Sequence, residues 1–188
     1  MTGIYLVPVL IAVGILRAAE LFWLEKGKKP GRIVAGWTLP LLSAGYALVL
    51  FGSIAEFSFV TRRISLPAAL SGLLLFIARI PLKFWAARTL DIWWSPHIEI
   101  REGHRLIKDG PYRYIRHPAY LSAMIDLVAV PLIANAYYTL CSVSLALLCL
   151  LVVRMRFEEK ALIDKFGEEY LQYMRETGAL LPVKNFLQ

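Results

Sequence analysis

Two polar clusters in an otherwise apolar chain carry the residue types that chemistry needs. One is "GPYRYIRHPAYLS", Gly110 to Ser122, with two arginines, a histidine, three tyrosines and two prolines. The other is "RMRFEEKAL", Arg154 to Leu162, in which Arg154 and Glu158 are four apart and share one helix face. A guanidinium is always charged and can hold a carboxylate in a low-dielectric site. A carboxylate accepts hydrogen bonds from hydroxyl or ammonium donors, and His and Tyr offer a flat surface with a polar tip. Each residue also has a plainer use at a membrane boundary. Arg154 and Glu158 suit an intrahelical ion pair, and Arg113, Arg116 and Arg156 can snorkel to phosphates. Tyr112, Tyr114 and Tyr120 suit an interfacial belt, and Pro118 is tolerated in the first turn of a helix.

Other chemistries find no footing. There is no GxGxxG after a strand, no P-loop, no HExxH and no CxxC, and no Ser-nucleophile elbow. Cys141 and Cys149 are eight residues apart in one apolar run. On a helix that is about 12 Å, too far for a disulfide, so they read as small core residues and no metal site is expected.

The elements that must position the clusters follow from hydropathy. Hydrophobic residues make up 58% of the 188 and charged residues 19%, with a mean hydropathy of +0.57, so charge is segregated from long apolar runs. Five stretches read as long enough to cross a bilayer, which needs ~20 residues: Ile4–Trp23, Ile33–Ile54, Leu66–Trp85, Pro118–Ala134 and Tyr137–Val153. The last two are separated only by "NAYY", a tight helical hairpin, which would bring both polar clusters to the same membrane depth. The expected fold class is therefore an all-α integral membrane protein of about five transmembrane helices and a single domain, 1–188. Residues 1–85 hold three N-terminal spans, and 86–182 hold the chemistry. The first sixteen residues lack a basic n-region and a clear cleavage site, so the first segment is expected to stay as an anchor.

The net charge of +7 suits cationic loops on an anionic membrane surface rather than nucleic acid. The loop "EKGKKPGR" (Glu25 to Arg32), the segment Arg79 to Arg116 and everything after Val153 hold 18 of the 21 basic residues. Arg62 and Arg63 lie in the opposite loop, and Arg17 lies inside the first span, where its spacing to Glu20 suggests an ion pair. This asymmetry predicts an outside N-terminus, with the C-terminus and the site cytoplasmic. Between the third and fourth spans, "HIEIREGHRLIKDG" (His97 to Gly110) alternates around Ile98 and Ile100 as a short strand would. After the fifth, Leu162, Ile163, Phe166, Tyr170, Tyr173 and Met174 form an apolar stripe, with Gly167 a break.

The combination of motifs resembles the isoprenylcysteine carboxyl methyltransferase family, integral membrane enzymes that use S-adenosylmethionine. The resemblance rests on "GPYRYIRHPAYLS", "RMRFEEKALIDKFGEEYLQYM", the "WWSPHIEIREGHRLIKDG" leading into the first motif, and the terminal "LLP" at Leu180 to Pro182. It covers roughly Trp85 to Pro182. It implies a methyl donor pocket lined by His97, by His104, Arg105, Leu106 and Ile107, by Tyr112, and by His117, Pro118, Ala119 and Tyr120. Glu158 would contact the cofactor and Arg154 the methyl acceptor, with Arg116 the second candidate for that catalytic role. The product would be S-adenosylhomocysteine.

Methyl transfer to a carboxylate joins an anion and a cation and needs no general base, because the acceptor is already ionised near neutral pH. Alignment and desolvation lower its barrier. The acceptor implied is a lipophilic or lipidated molecule entering from the bilayer, most directly a prenylcysteine carboxylate, with membrane lipids the other neighbours. An alkylphenol would need a base, for which His117 is the candidate. A phospholipid N-methyltransferase or a membrane reductase of the same superfamily are the alternatives. A non-catalytic scaffold or transporter fits less well, since the polar residues concentrate at the cytoplasmic ends of the spans rather than near the midplane.

Overall fold

Proline and asparagine punctuation sets the helix boundaries in the computed structural model, which describes residues 3–25, 31–61 and 64–182. Lys26 to Pro30 of the charged turn, and Arg62 and Arg63, lie outside the described residues. The helices are α1 (Gly3–Glu25), α2 (Thr38–Glu56, extended by a π-helical turn Phe57–Thr61), α3 (Leu66–Leu90) and α4 (Pro118–Ala134). The short α5 (Tyr137–Thr139) runs through a second π-helical turn, Leu140–Ser144, into α6 (Leu145–Phe166), and α7 (Glu168–Glu176) follows. The expected strand forms at Ile98–Ile100 (β2) and pairs antiparallel with Arg32–Val34 (β1), Arg32 opposite Ile100 and Val34 opposite Ile98.

Pro118 opens α4, where a missing N–H costs nothing. Asn135 ends it in the left-handed region (φ 55°), its N–H reaching the carbonyls of Leu132 and Pro131. The Asn135 side chain accepts a bond from the Ser65 N–H at 2.8 Å. The Glu56 carboxylate accepts from the N–H groups of Tyr138 and Thr139 at 2.9 and 2.7 Å, capping the first turn of the returning helix. These bonds tie both tight loops to their neighbours at one end of the bundle. The opposite end, where Tyr120 and Arg154 lie, is left for the site.

Leu10, Val49, Phe76, Leu127, Ile133, Leu147 and Leu151 form the core between α1, α2, α3, α4 and α6. Helices α3 and α4 approach to backbone contact: a Cβ on Gly72 would lie 2.6 Å from the Ile133 nitrogen and 2.7 Å from the Ala129 carbonyl oxygen. Outward-facing Leu48, Phe51 and Leu74 are exposed, an apolar surface that suits lipid rather than water.

Three differences from the sequence expectations have physical reasons. Among the described residues three helices are long and apolar enough to cross a membrane, Thr38–Val60, Leu66–Trp93 and Tyr137–Phe166. The fourth stretch makes a 17-residue helix, about 25 Å at 1.5 Å per residue against a hydrocarbon core of ~30 Å. Cys141 and Cys149 are exposed, not core, because they lie on the outer face of their helix. Arg17 and Glu20 do not pair with each other. Arg17 reaches Asp126 at 2.8 Å, and Glu20 takes Arg79 at 2.6 Å and Lys83 at 2.9 Å. Neighbouring helices supply partners that spacing along one helix cannot reveal.

Candidate active site

Helix periodicity sorts the second motif into two faces. Leu151, Arg154, Glu158 and Leu162 follow one another at intervals of three and four, and all line one cavity. Glu159, one residue further round, turns instead to the segment before α4. Its Oε1 accepts from Arg116 Nε at 3.2 Å and Nη2 at 2.9 Å, and lies 3.1 Å from His117 Nε2.

The first motif meets the cavity face through Tyr120, in the first turn of α4. Its hydroxyl donates to Glu158 Oε2 at 2.6 Å and accepts from Arg154 Nε at 3.2 Å. Arg154 is 4% exposed. Its Nη1 donates to Thr38 Oγ1 at 2.6 Å and its Nη2 to the Pro96 carbonyl. Arg154 and Glu158 thus meet through a phenol from another helix rather than as the intrahelical pair.

The chain after α6 closes the cavity. Gly167, at φ 57°, ends α6 and turns the chain into α7. Ile115 pairs with Gly178 in a parallel bridge, and the N–H groups of Arg116 and His117 donate to the Gly178 and Ala179 carbonyls at 2.9 and 3.0 Å. Arg116 Nη1 donates to the carbonyls of Met174, at 3.1 Å, and Thr177. The Tyr173 hydroxyl donates to the Tyr112 carbonyl at 2.5 Å. Tyr170 and Tyr173 line the cavity. Burial holds the phenols of Tyr112, Tyr170 and Tyr173 well above their usual value, so all three remain protonated at neutral pH.

The loop after α3 supplies the remaining wall. The His104 ring stacks on Trp93, with centroids 4.8 Å apart and 11° between planes, and meets Phe166 edge-on. Burial, with the cations of Lys165 and Arg101 nearby, pushes His104 down to about 4, so its ring is neutral. Among the described residues the Nδ1 atoms of His97 and His104 are buried without a hydrogen-bond partner.

The cavity has a volume of about 200 Å³. It is lined by His97, His104, Arg105, Leu106, Ile107, Tyr112, Arg116, His117, Ala119, Tyr120, Arg154 and Glu158, and Pro118 is buried outside the lining. The Trp93–His104 stack, the Tyr120 hydroxyl and the Glu158 carboxylate along one cavity fit a ligand that carries an adenine, ribose hydroxyls and an amino-acid end. Sequence reasoning missed Glu159, Trp93, Tyr46, Lys83 and Arg17. Two signals were present: the adjacent Glu158-Glu159 pair, since neighbours on a helix point about 100° apart, and the charges of Arg17 and Lys83 inside apolar spans. The stripe of Phe166, Tyr170 and Tyr173 was legible as apolar, but not as a cavity wall.

Fold and site together define a helical membrane protein with a cavity at the mouth of a helix hairpin. The family model for the isoprenylcysteine carboxyl methyltransferase (ICMT) family matches residues 72–164. The uncharacterized protein YpbQ of Bacillus subtilis is 32% identical over 140 residues, 73% of this chain and 82% of that protein. A methanethiol S-methyltransferase of a Pseudomonas species is 29% identical over 102 residues, 54% of this chain but 37% of that enzyme. The solved eukaryotic intramembrane Ras methyltransferase ICMT superposes with a TM-score of 0.65 at 21% identity, over 77% of this chain and 53% of that one. The chain belongs to the isoprenylcysteine carboxyl methyltransferase family and is a membrane methyltransferase.

Proposed function

We propose that the protein transfers a methyl group from S-adenosylmethionine to an oxygen of a lipophilic acceptor, a carboxylate first among them. The observation that carries this reading is the Tyr120 hydroxyl joining Arg154 and Glu158 at the wall of a cavity that His97 and His104 also line. S-adenosylmethionine, when bound, supplies a methyl carbon on a cationic sulfur. His97, the His104–Ile107 segment, Tyr112, and His117, Ala119 and Tyr120 hold it, and Glu158 accepts from its hydroxyl or ammonium donors. Arg154 faces the acceptor with its orientation set by Thr38, Tyr120 and Pro96. Arg116, second candidate for that catalytic role, serves by fastening the tail that excludes water, through Glu159 and the carbonyls of Met174 and Thr177. The charge asymmetry supports five passes with the N-terminus outside and the site cytoplasmic, residues 86–182 forming the catalytic region.

A thiol acceptor is the second reading, favoured by the Pseudomonas relative named as a methanethiol S-methyltransferase. Calorimetry of the purified protein with S-adenosylhomocysteine tests the cofactor site. Tritium-methyl transfer to prenylcysteine, alkylphenol, lipid amine and thiol acceptors then separates the readings. Micromolar binding and a labelled ester are the expected results; no S-adenosylhomocysteine binding refutes the proposal.

A further inference from the structure

Arg17, Tyr46 and Lys83 line the cavity away from both motifs, beside Leu42 and Ala123. Leu90, at the end of α3, lines it too. Lys83 lies seven residues before Leu90, so the cavity runs about 10 Å along α3 into the bundle. At its inner end sits a charged cluster. Glu20 Oε2 meets Lys83 Nζ at 2.9 Å and Arg79 Nη1 at 2.6 Å. Asp126 meets Arg79 Nε and Arg17 Nη1, both at 2.8 Å. Among the described residues, three cations therefore share two carboxylates. Arg79, fully buried, is bracketed by both carboxylates, and the cations that reach the cavity are Lys83 and Arg17.

A cluster serving only to fasten α1, α3 and α4 would do so best with matched charges, since an unmatched charge inside an apolar bundle is costly. An ionised ligand entering the cavity supplies the missing negative charge. Arg154 gives three of its five N–H donors to Tyr120, Thr38 and Pro96, bonds that fix its guanidinium at the other end of the cavity. An ammonium has three donors, of which Glu20 takes one. The Arg17 guanidinium is braced 4.4 Å over the Tyr46 ring, whose hydroxyl donates to the Ala123 carbonyl at 2.9 Å. Leu39 and Leu42 of α2 supply an apolar wall beside these cations.

The structure assigns Lys83, with Arg17 beside it, as the seat of the acceptor's anionic oxygen. The acceptor is thus a lipophilic oxygen acid bound in its ionised form, a carboxylate or a phenolate, with its chain against α2. This assignment rests on the methyltransferase reading for the word acceptor, but the binding site is testable without turnover.

The test uses the full chain in phosphatidylcholine nanodiscs and measures equilibrium binding of two pairs of probes. One pair is N-acetyl-S-farnesylcysteine and its carboxamide. The other is a 4-alkyl-2-nitrophenol, ionised at neutral pH, and its methyl ether. The ratio of anion to neutral affinity, compared between wild type and Lys83→Met, cancels partitioning into lipid. The ratio is expected to fall about tenfold in Lys83→Met for at least one pair, the size of one charge-assisted hydrogen bond. Lys83→Arg should retain the ratio and Glu20→Gln raise it. The pair that responds identifies the acid as carboxylate or phenolate. If Lys83→Met does not yield a monodisperse protein, Arg17→Gln gives the same comparison. Unchanged ratios in both pairs, or equal loss of anion and neutral probe, overturn the assignment. S-adenosylhomocysteine calorimetry runs in parallel: failure of the wild type to bind it ends the methyltransferase reading, while the affinity ratios still decide the anion seat.

Discussion

Substituting Glu159 by Ala tests how the cavity is closed. Glu159 and Arg116 are each 7% exposed, and one carboxylate oxygen serves Arg116 Nε, Arg116 Nη2 and His117 Nε2 at 2.9–3.2 Å. Removing it leaves the guanidinium buried with only the carbonyls of Met174 and Thr177. Breaking a buried pair from one side costs about 3–5 kcal/mol, which is about 10 °C of melting temperature for a chain of this size. Glu159→Gln keeps shape and one acceptor oxygen and should cost about half as much. The loss should be local as well as global, because Arg116 fastens the tail carrying Tyr170 and Tyr173. Thermal unfolding in detergent reads the first effect, and limited proteolysis after α6 with S-adenosylhomocysteine titration reads the second. In the double variant with Arg116→Met the stranded charge is gone, so the combined cost should be smaller than the sum of the two single costs. A melting temperature within 2 °C of wild type for Glu159→Ala, or strict additivity in the double variant, would show that Glu159 does not hold Arg116 and the tail in place.

Arg154→Ala and Glu158→Ala should each lower methyl transfer at least about a hundredfold while the protein still elutes as a folded species; wild-type turnover in both purified variants removes them from the site. Gly72→Ala should destabilise by about 1–3 kcal/mol, read by thermal unfolding, since its Cβ would meet the α4 backbone at 2.6 Å. His104, held near 4 by burial, is neutral when folded but protonates near 6.5 when unfolded. Its contribution is therefore fully present above about pH 6.5 and is lost as the pH falls toward 4. Melting curves between pH 7.5 and 5 should fall more steeply for wild type than for His104→Phe, and parallel curves would count against a buried neutral ring.

What the sequence determined is everything that depends on neighbours along the chain. Apolar runs marked α2, α3, α4 and α6, Pro118 and Gly167 marked helix limits, and Ile98 and Ile100 marked a strand. The i, i+4 spacing put Arg154 and Glu158 on one face, and the two motifs identified the family. Lateral packing was not legible. Arg17 and Glu20, three apart, look like a pair, yet each binds a residue about 60 or more positions away, because burial rewards whichever partner the neighbouring helix presents. The same holds for Glu159 with Arg116 and for Lys83 at the cavity wall. Periodicity gives the face a residue occupies but not what that face meets. Only the bundle, through close approaches such as Gly72 against α4, decides which helices touch and hence which charges are shared.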